Sequence, residues 1–172
     1  ITMPANGIGS AISTIVGQNI GAGQQERADK AYHYALRMGA LFLLFFGLIL
    51  SRRFISQAMV TFFSSDERVI PLATDFLSLM AFWCWSNAFY NVTQGLFQGS
   101  GHTMITMIVD ASRIWIFRLL TLWVCANVLN MGVESVWYAV VISNGTSAAI
   151  LYALYWTGIW KKSTIKIEKT EN

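Results

Sequence analysis

The sequence has little charge of either sign: Asp, Glu, Lys and Arg make up 12% of its 172 residues, against about 25% in an ordinary soluble domain. A chain with that deficit cannot present a water-bathed surface on all sides. Cysteine is scarce as well. Cys84 and Cys125 both sit inside apolar runs with no CxxC or His/Cys cluster at metal-ligand spacing, so both read as small buried hydrophobes. Phosphate-binding loops, nucleophile elbows and HExxH sequences are missing, which argues against an enzyme. The net charge of +3 arises from Lys and Arg at the ends of apolar runs and forms no basic stripe, which argues against nucleic acid as a partner. No positively charged leader with a small-residue cleavage site is present, and the chain opens on Ile1 within an apolar stretch. It therefore reads as a piece of a longer protein.

What the sequence does have is apolar length. Hydrophobic residues form 55% of it, in runs near the roughly 20 residues that a transmembrane helix requires. Five spans are expected, at about 1–20, 31–50, 69–97, 103–128 and 133–160, with a short interfacial piece between Phe54 and Arg68. The first mixes apolar residues with Gly7, Gly9, Ser10, Ser13, Thr14 and Gly17, small side chains that let membrane helices approach closely. Gly21-Ala22-Gly23 suits its C-terminus, and Gly99-Ser100-Gly101 breaks the third span from the fourth. A soluble bundle would have to bury several rods that are apolar around most of their circumference, which a two-layer domain cannot do. The expected fold class is an all-α membrane protein in the lipid bilayer.

The basic residues set an expected orientation. Arg27, Lys30, Arg37, Lys161, Lys162, Lys166 and Lys169 fall on one side and Arg52, Arg53 and Arg68 on the other, seven against three. The richer side is cytoplasmic by the positive-inside rule. That places a tail at 161–172 in the cytoplasm and Ile1 outside, with Tyr152, Tyr155, Trp156 and Trp160 as an aromatic anchor at the cytoplasmic face.

The third span carries the most informative pattern. Asn87, Asn91, Gln94 and Gln98 recur at spacings of four, three and four, so at about 100° per residue they share an arc of roughly 60°. Met80 and Trp83 extend the stripe, with Tyr90 at its edge. In lipid each amide would lack a partner, so the stripe must face protein or a water-filled cavity. As a cavity, amides capped by methionine and aromatic rings suit bulky, partly apolar, often cationic molecules. As packing, the same amides hydrogen-bond neighbouring helices. The fourth span holds Asp110, Arg113 and Arg118, and ionisable groups within a span are expensive enough to be read as functional. Asp110 and Arg113, three apart, can pair locally. Arg118 lies about 140° round an α-helix from Arg113 and needs a different partner. All three are assigned gating or structural roles. Asp75 and Glu134 fall where water is reachable, and neither His33 nor His102 has a second ligand at suitable spacing, so no metal site is expected. Asn91-Val92-Thr93 and Asn144-Gly145-Thr146 match the glycosylation pattern but lie inside spans.

In the first span Pro4, Gly9, Val16-Gly17-Gln18-Asn19, Gly21-Ala22-Gly23 and Glu26-Arg27-Ala28 resemble the second or eighth helix of the multidrug and toxic compound extrusion (MATE) transporters. Gly99-Ser100-Gly101-His102-Thr103 resembles that family's GxGDT turn, Arg118 falls where many members carry an arginine, and Val133, Trp137 and the basic tail resemble the last helix and its exit. The resemblance implies helices eight to twelve, most of the C-terminal lobe, of a twelve-helix, two-lobed transporter in the cell (inner) membrane. It also implies efflux of organic cations or drugs against protons or sodium, no other cofactor, and an N-terminal lobe as partner. Lobes of this kind rock to expose a central cavity alternately to each side. Two positions depart from the pattern. Asn87 stands where the better-known bacterial branch has a cation-coordinating aspartate, and an amide cannot exchange a proton although its carbonyl can ligate sodium. His102 replaces the aspartate of the turn. A flippase for lipid-linked saccharides would line its cavity with several arginines, whereas the third span offers neutral amides. A non-transporting subunit would use the stripe only as a helix interface. Arg118→Leu is expected to impair transport more than Arg52→Leu, measured as dye retention in cells expressing the full-length protein. Equal effects would remove the reason for singling out Arg118.

Overall fold

Small residues decide where the helices of this chain meet. A computed structural model describes residues 3–161, and Ile1 and the tail from Lys162, including Lys166 and Lys169, lie outside the described residues. Helix α1 (Met3–Gly21) turns into α2 (Gln25–Leu50) through Gly23, whose φ of 72° lets its N–H reach Ile20 O while Gln24 N–H reaches Asn19 O at 2.8 Å. This is the glycine-ended Schellman closure that the triplet suggested. Then follow α3 (Arg53–Phe63), α4 (Val69–Trp83), α5 (Ser86–Gly99) and α6 (Thr103–Ser112). A π turn (Arg113–Arg118), α7 (Leu119–Trp123), a second π turn (Val124–Val128) and α8 (Glu134–Trp156) complete the order before a short 3₁₀ turn at Ile159–Lys161.

Helices α1 and α5 run parallel with their backbones in contact. A Cβ placed on Gly9 would lie 2.6 Å from the Asn91 carbonyl oxygen, one on Gly95 2.2 Å from Gly9 O, and one on Gly99 2.3 Å from Ser13 O. Antiparallel α2 covers this pair. Its Tyr32 hydroxyl meets Thr93 Oγ1 at 2.9 Å, and a Cβ on Gly47 would strike Ala81 O at 2.4 Å. Helix α8 closes the other side, with Leu151, Tyr155 and Trp160 sharing a buried cluster with Tyr32, Leu96 and Phe97. The Tyr155 hydroxyl donates to Asp29 Oδ1 at 2.6 Å, and His33 Nε2 lies 3.0 Å from that hydroxyl.

The helices occupy the expected apolar segments, but their integrity differs. The third segment is not one rod: α4 and α5 meet at a bend of 49°. No proline or glycine occupies Trp83–Ser86. The bend is held by α2, because Cys84 Sγ donates to Leu43 O at 3.2 Å, and by Ser86 Oγ, which takes up the Trp83 carbonyl at 2.9 Å. The fourth segment is wound partly as π-helix. Among the described residues α2 and α8 are long and apolar enough to cross a bilayer, and the bent α4–α5 path qualifies as a third. Five is therefore an approximate count: the small and polar residues of α1 dilute its hydropathy, and the π turns divide the fourth segment.

The aromatic anchor also needs correction. Trp160 is fully buried and Tyr155 nearly so, stacked on each other against α2, while Trp156 is exposed. Elsewhere the exterior is apolar, with Phe42, Phe45, Phe46, Trp115 and Trp123 all exposed. Such a surface suits lipid and would be an aggregation liability in water.

The α1–α5 contact yields a test. Gly9→Ala or Gly95→Ala forces the two backbones apart and should cost about 1–3 kcal/mol or more, seen as a lowered unfolding temperature of the full-length protein in detergent. Gly7→Ala, where an added Cβ meets nothing within 4 Å, should be neutral or stabilising, since alanine favours the helix over glycine by roughly 0.5–1 kcal/mol. Equal losses at positions 7 and 9 would contradict this account.

Candidate functional site

Beside the α1–α5 contact lies an open cleft of about 380 Å³. Gly9 and Gly95 lie at both the contact and the cleft wall. Helix α5 contributes Asn87, Tyr90, Asn91, Gln94 and Gln98, the greater part of the predicted stripe. Helix α1 supplies Asn6, Gly9 and Ser10, and the fourth segment supplies Asp110 and Arg113. Met80 and Trp83 are not in it. The bend before α5 carries both off the stripe, leaving Met80 half-buried in α4 and Trp83 on a separate apolar groove with Trp85, Phe89 and Tyr152. The cleft wall is accordingly mostly polar, not an amide stripe capped by methionine and tryptophan.

The amides do not face one another across empty space. Gln94 Nε2 donates to Asp110 Oδ2 at 2.7 Å and lies 3.3 Å from the Tyr90 hydroxyl. That hydroxyl donates to the Asp110 carboxylate. Asn91 Nδ2 donates one turn back to Asn87 O at 2.8 Å. Asp110 thus gathers Tyr90 and Gln94 from α5 and Arg113 from its own helix, whose Nη2 is 3.4 Å from Oδ1. Three donors around one carboxylate offset much of the cost of holding a charge away from bulk water. The local pairing of Asp110 with Arg113 is present, as their spacing allows, but it is one contact of four-residue chemistry that joins α5 to α6.

Arg113 and Arg118 share a partner that α-helical geometry would deny them. In a π turn, hydrogen bonds close from i to i+5, so residues five apart stand nearly above one another and not about 140° apart. Arg113 Nη1 reaches Asn144 Oδ1 at 3.2 Å and Arg118 Nη2 reaches the same oxygen at 3.3 Å, while Arg118 Nε donates to Ser143 Oγ at 3.3 Å. Arg118 is therefore tied to α8, outside the cleft. The guanidinium of Arg113 also lies over the Tyr90 ring, its Cζ 4.8 Å from the centroid, so that face is occupied by the protein's own cation.

Sequence reasoning missed four contributors. Asn6 and Ser10 flank Gly9 on α1, and their i, i+4 spacing was a usable signal. Asn144 on α8 was legible only as part of a glycosylation pattern and Ser143 carried no signal, and the role of both depends on the π winding opposite them. No group of His, Cys, Asp or Glu among the described residues is placed to hold a metal ion. Cysteines placed at Asn91 and Gln94 in the full-length protein should react with membrane-impermeant thiol reagents, whereas one at Val92, fully buried on the opposite side, should not. Protection of all three would mean that the cleft is closed to water.

The chain is similar to a probable multidrug resistance protein NorM of Thermotoga maritima, 23% identical over 95% of this chain and 35% of that protein. It is also similar to the protein DETOXIFICATION 9 of Arabidopsis thaliana, 25% identical over 94% of this chain and 33% of that one. Its fold matches the crystal structure of the eukaryotic MATE transporter AtDTX14 with a TM-score of 0.83, at 22% identity, covering 92% of this chain and 35% of that chain. The chain spans about a third of the length of these relatives. The family model MatE matches residues 1–124, and on that match the chain belongs to the MatE family.

Proposed function

We propose that the protein containing this chain exports organic cations or drugs across the cell membrane, driven by the inward flow of protons or sodium. In this reading the chain forms most of the C-terminal lobe of a two-lobed transporter, with the basic ends of its helices and its tail on the cytoplasmic side. The remaining lobe is its partner. Support comes from the family and from the printed names of its relatives, multidrug resistance and detoxification proteins. The count of basic residues supports the orientation.

One observation carries the mechanistic part: a carboxylate, Asp110, stands in a polar cleft of the helix bundle. An amide at position 87 cannot carry a coupling proton, but Asp110 lines the same cleft and can hold either a proton or a sodium ion. The carbonyls of Asn87, Asn91 and Gln94 are available as further oxygen ligands for sodium or as acceptors for a transported molecule. Binding a cation at Asp110 occupies the carboxylate. Releasing that cation to the other side frees the carboxylate for an incoming organic cation, which is the exchange that antiport requires. Intramembrane ionisable groups mark ion pathways in transporters generally.

Ethidium accumulation in cells expressing the full-length protein tests this reading. Asp110→Asn should abolish export while the protein still reaches the membrane. Asn91→Ala and Gln94→Ala should change the relative export of different dyes by several-fold, each lost hydrogen bond to a bound molecule being worth roughly 0.5–1.5 kcal/mol. Wild-type export by Asp110→Asn would overturn the coupling role, and export no better than in cells lacking the protein would overturn efflux itself.

A further inference from the structure

Resting on the cleft as the cation site, we infer that Arg113 is a tethered competitor for that site: its guanidinium takes the Asp110 carboxylate and the Tyr90 ring face, and an incoming cation must displace it onto Asn144. Each part of this exchange has a geometric counterpart. The two features of the cleft that attract a cation are a carboxylate and an aromatic face. Arg113 engages both, at 3.4 Å from Asp110 Oδ1 and 4.8 Å from the Tyr90 centroid. A second cation cannot share them without placing like charges side by side.

The guanidinium has somewhere to go. Nη1 is already 3.2 Å from Asn144 Oδ1 on α8, so a small rotation away from Asp110 keeps one hydrogen bond throughout. Its Nε is buried and finds no hydrogen-bond partner among the described residues, which shows that the side chain is not fully satisfied where it lies. A buried donor of this kind carries a penalty, and that penalty lowers the cost of leaving. The segment that carries Arg113 is itself the π turn Arg113–Arg118. Such turns are uncommon and cluster at functional sites.

The arrangement affects selectivity. A group attached to the site acts at an effective concentration of millimolar or more, so weakly bound cations fail to dislodge it and strongly bound ones succeed. It also keeps a countercharge on the half-buried Asp110 carboxylate between binding events.

Ethidium binding to the purified full-length protein in lipid nanodiscs, at one fixed pH, tests the inference. If Arg113 holds Asp110 for about nine-tenths of the time, its removal in Arg113→Gln should tighten binding roughly tenfold. Asn144→Ala, which removes the landing position and touches neither Asp110 nor the cleft, should weaken binding several-fold. Ser143→Ala, which removes the hydroxyl that meets Arg118 and the Val140 carbonyl and leaves Asn144 in place, controls for indirect effects and should leave binding unchanged. Binding that stays the same or weakens in Arg113→Gln, or stays the same in Asn144→Ala, overturns the tethered competitor. If Arg113→Gln does not elute as a folded species, Asn144→Ala against Ser143→Ala decides alone. Asp110→Asn separates this failure from that of the cleft: lost binding there leaves the cation site standing, and retained binding overturns the site itself.

Discussion

Two backbones in contact set the form of this bundle. Between Gly9 and Gly95, and again between Ser13 and Gly99, there is no room for a side-chain carbon. Lipid supplies no hydrophobic drive to bring helices together, so association depends on dispersion contact and on polar groups that satisfy each other. The parallel α1–α5 pair gains the first: its glycines bring the backbones into contact, and Asn6 and Ser10 on α1 and Asn91 and Gln94 on α5 line the cleft beside it. Widening that contact by one methyl group would move both walls of the cleft.

How much of this was legible in the sequence follows from what each feature depends on. Apolar runs locate helices, since they reflect only the solvent around the rod, and the segments from α1 to α8 fall where those runs are. Breaks in the rods are another matter. The bend between α4 and α5 has no glycine or proline at its centre and is held by Cys84 and Gly47 against α2, contacts that exist only after folding. Met80 and Trp83 were placed on the stripe by extending helical spacing through that bend. Asn87, Asn91, Gln94 and Gln98 line one cleft, and spacing within a single unbroken helix is a local property. Trp160 was assigned to the membrane boundary by residue type, but its stacking on Tyr155 is a tertiary fact.

The polar groups form a seam that crosses the bundle. It passes from Asn6 and Ser10 through Tyr90 and Gln94 to Asp110 and Arg113, and from Arg113 to Asn144 and Arg118 on the far side. Any one of these residues alone in an apolar interior would be costly. Together they divide the cost, because each charge has a countercharge or several dipoles within reach. The π turn is what joins the two halves of the seam. It brings two arginines that α-helical winding would point apart onto a single amide oxygen, so backbone geometry and side-chain chemistry at this point have to be read together.

The position of the carboxylate bears on how the family pattern is used. The resemblance expects a cation-coordinating aspartate where this chain has Asn87, yet the cleft that Asn87 lines does contain an acid, supplied by the next helix. What a cation requires is negative charge and oxygen ligands within one small volume, not a particular residue on a particular helix. In the proposed reading Asp110 supplies the first, and the amides and hydroxyls of α1 and α5 supply the second. Moving the acid from α5 to the fourth segment also places it three residues from Arg113, a neighbour that a carboxylate at position 87 would not have on its own helix. A relocated acid therefore carries a local countercharge with it, and the behaviour of this cleft depends on that pair rather than on Asp110 alone.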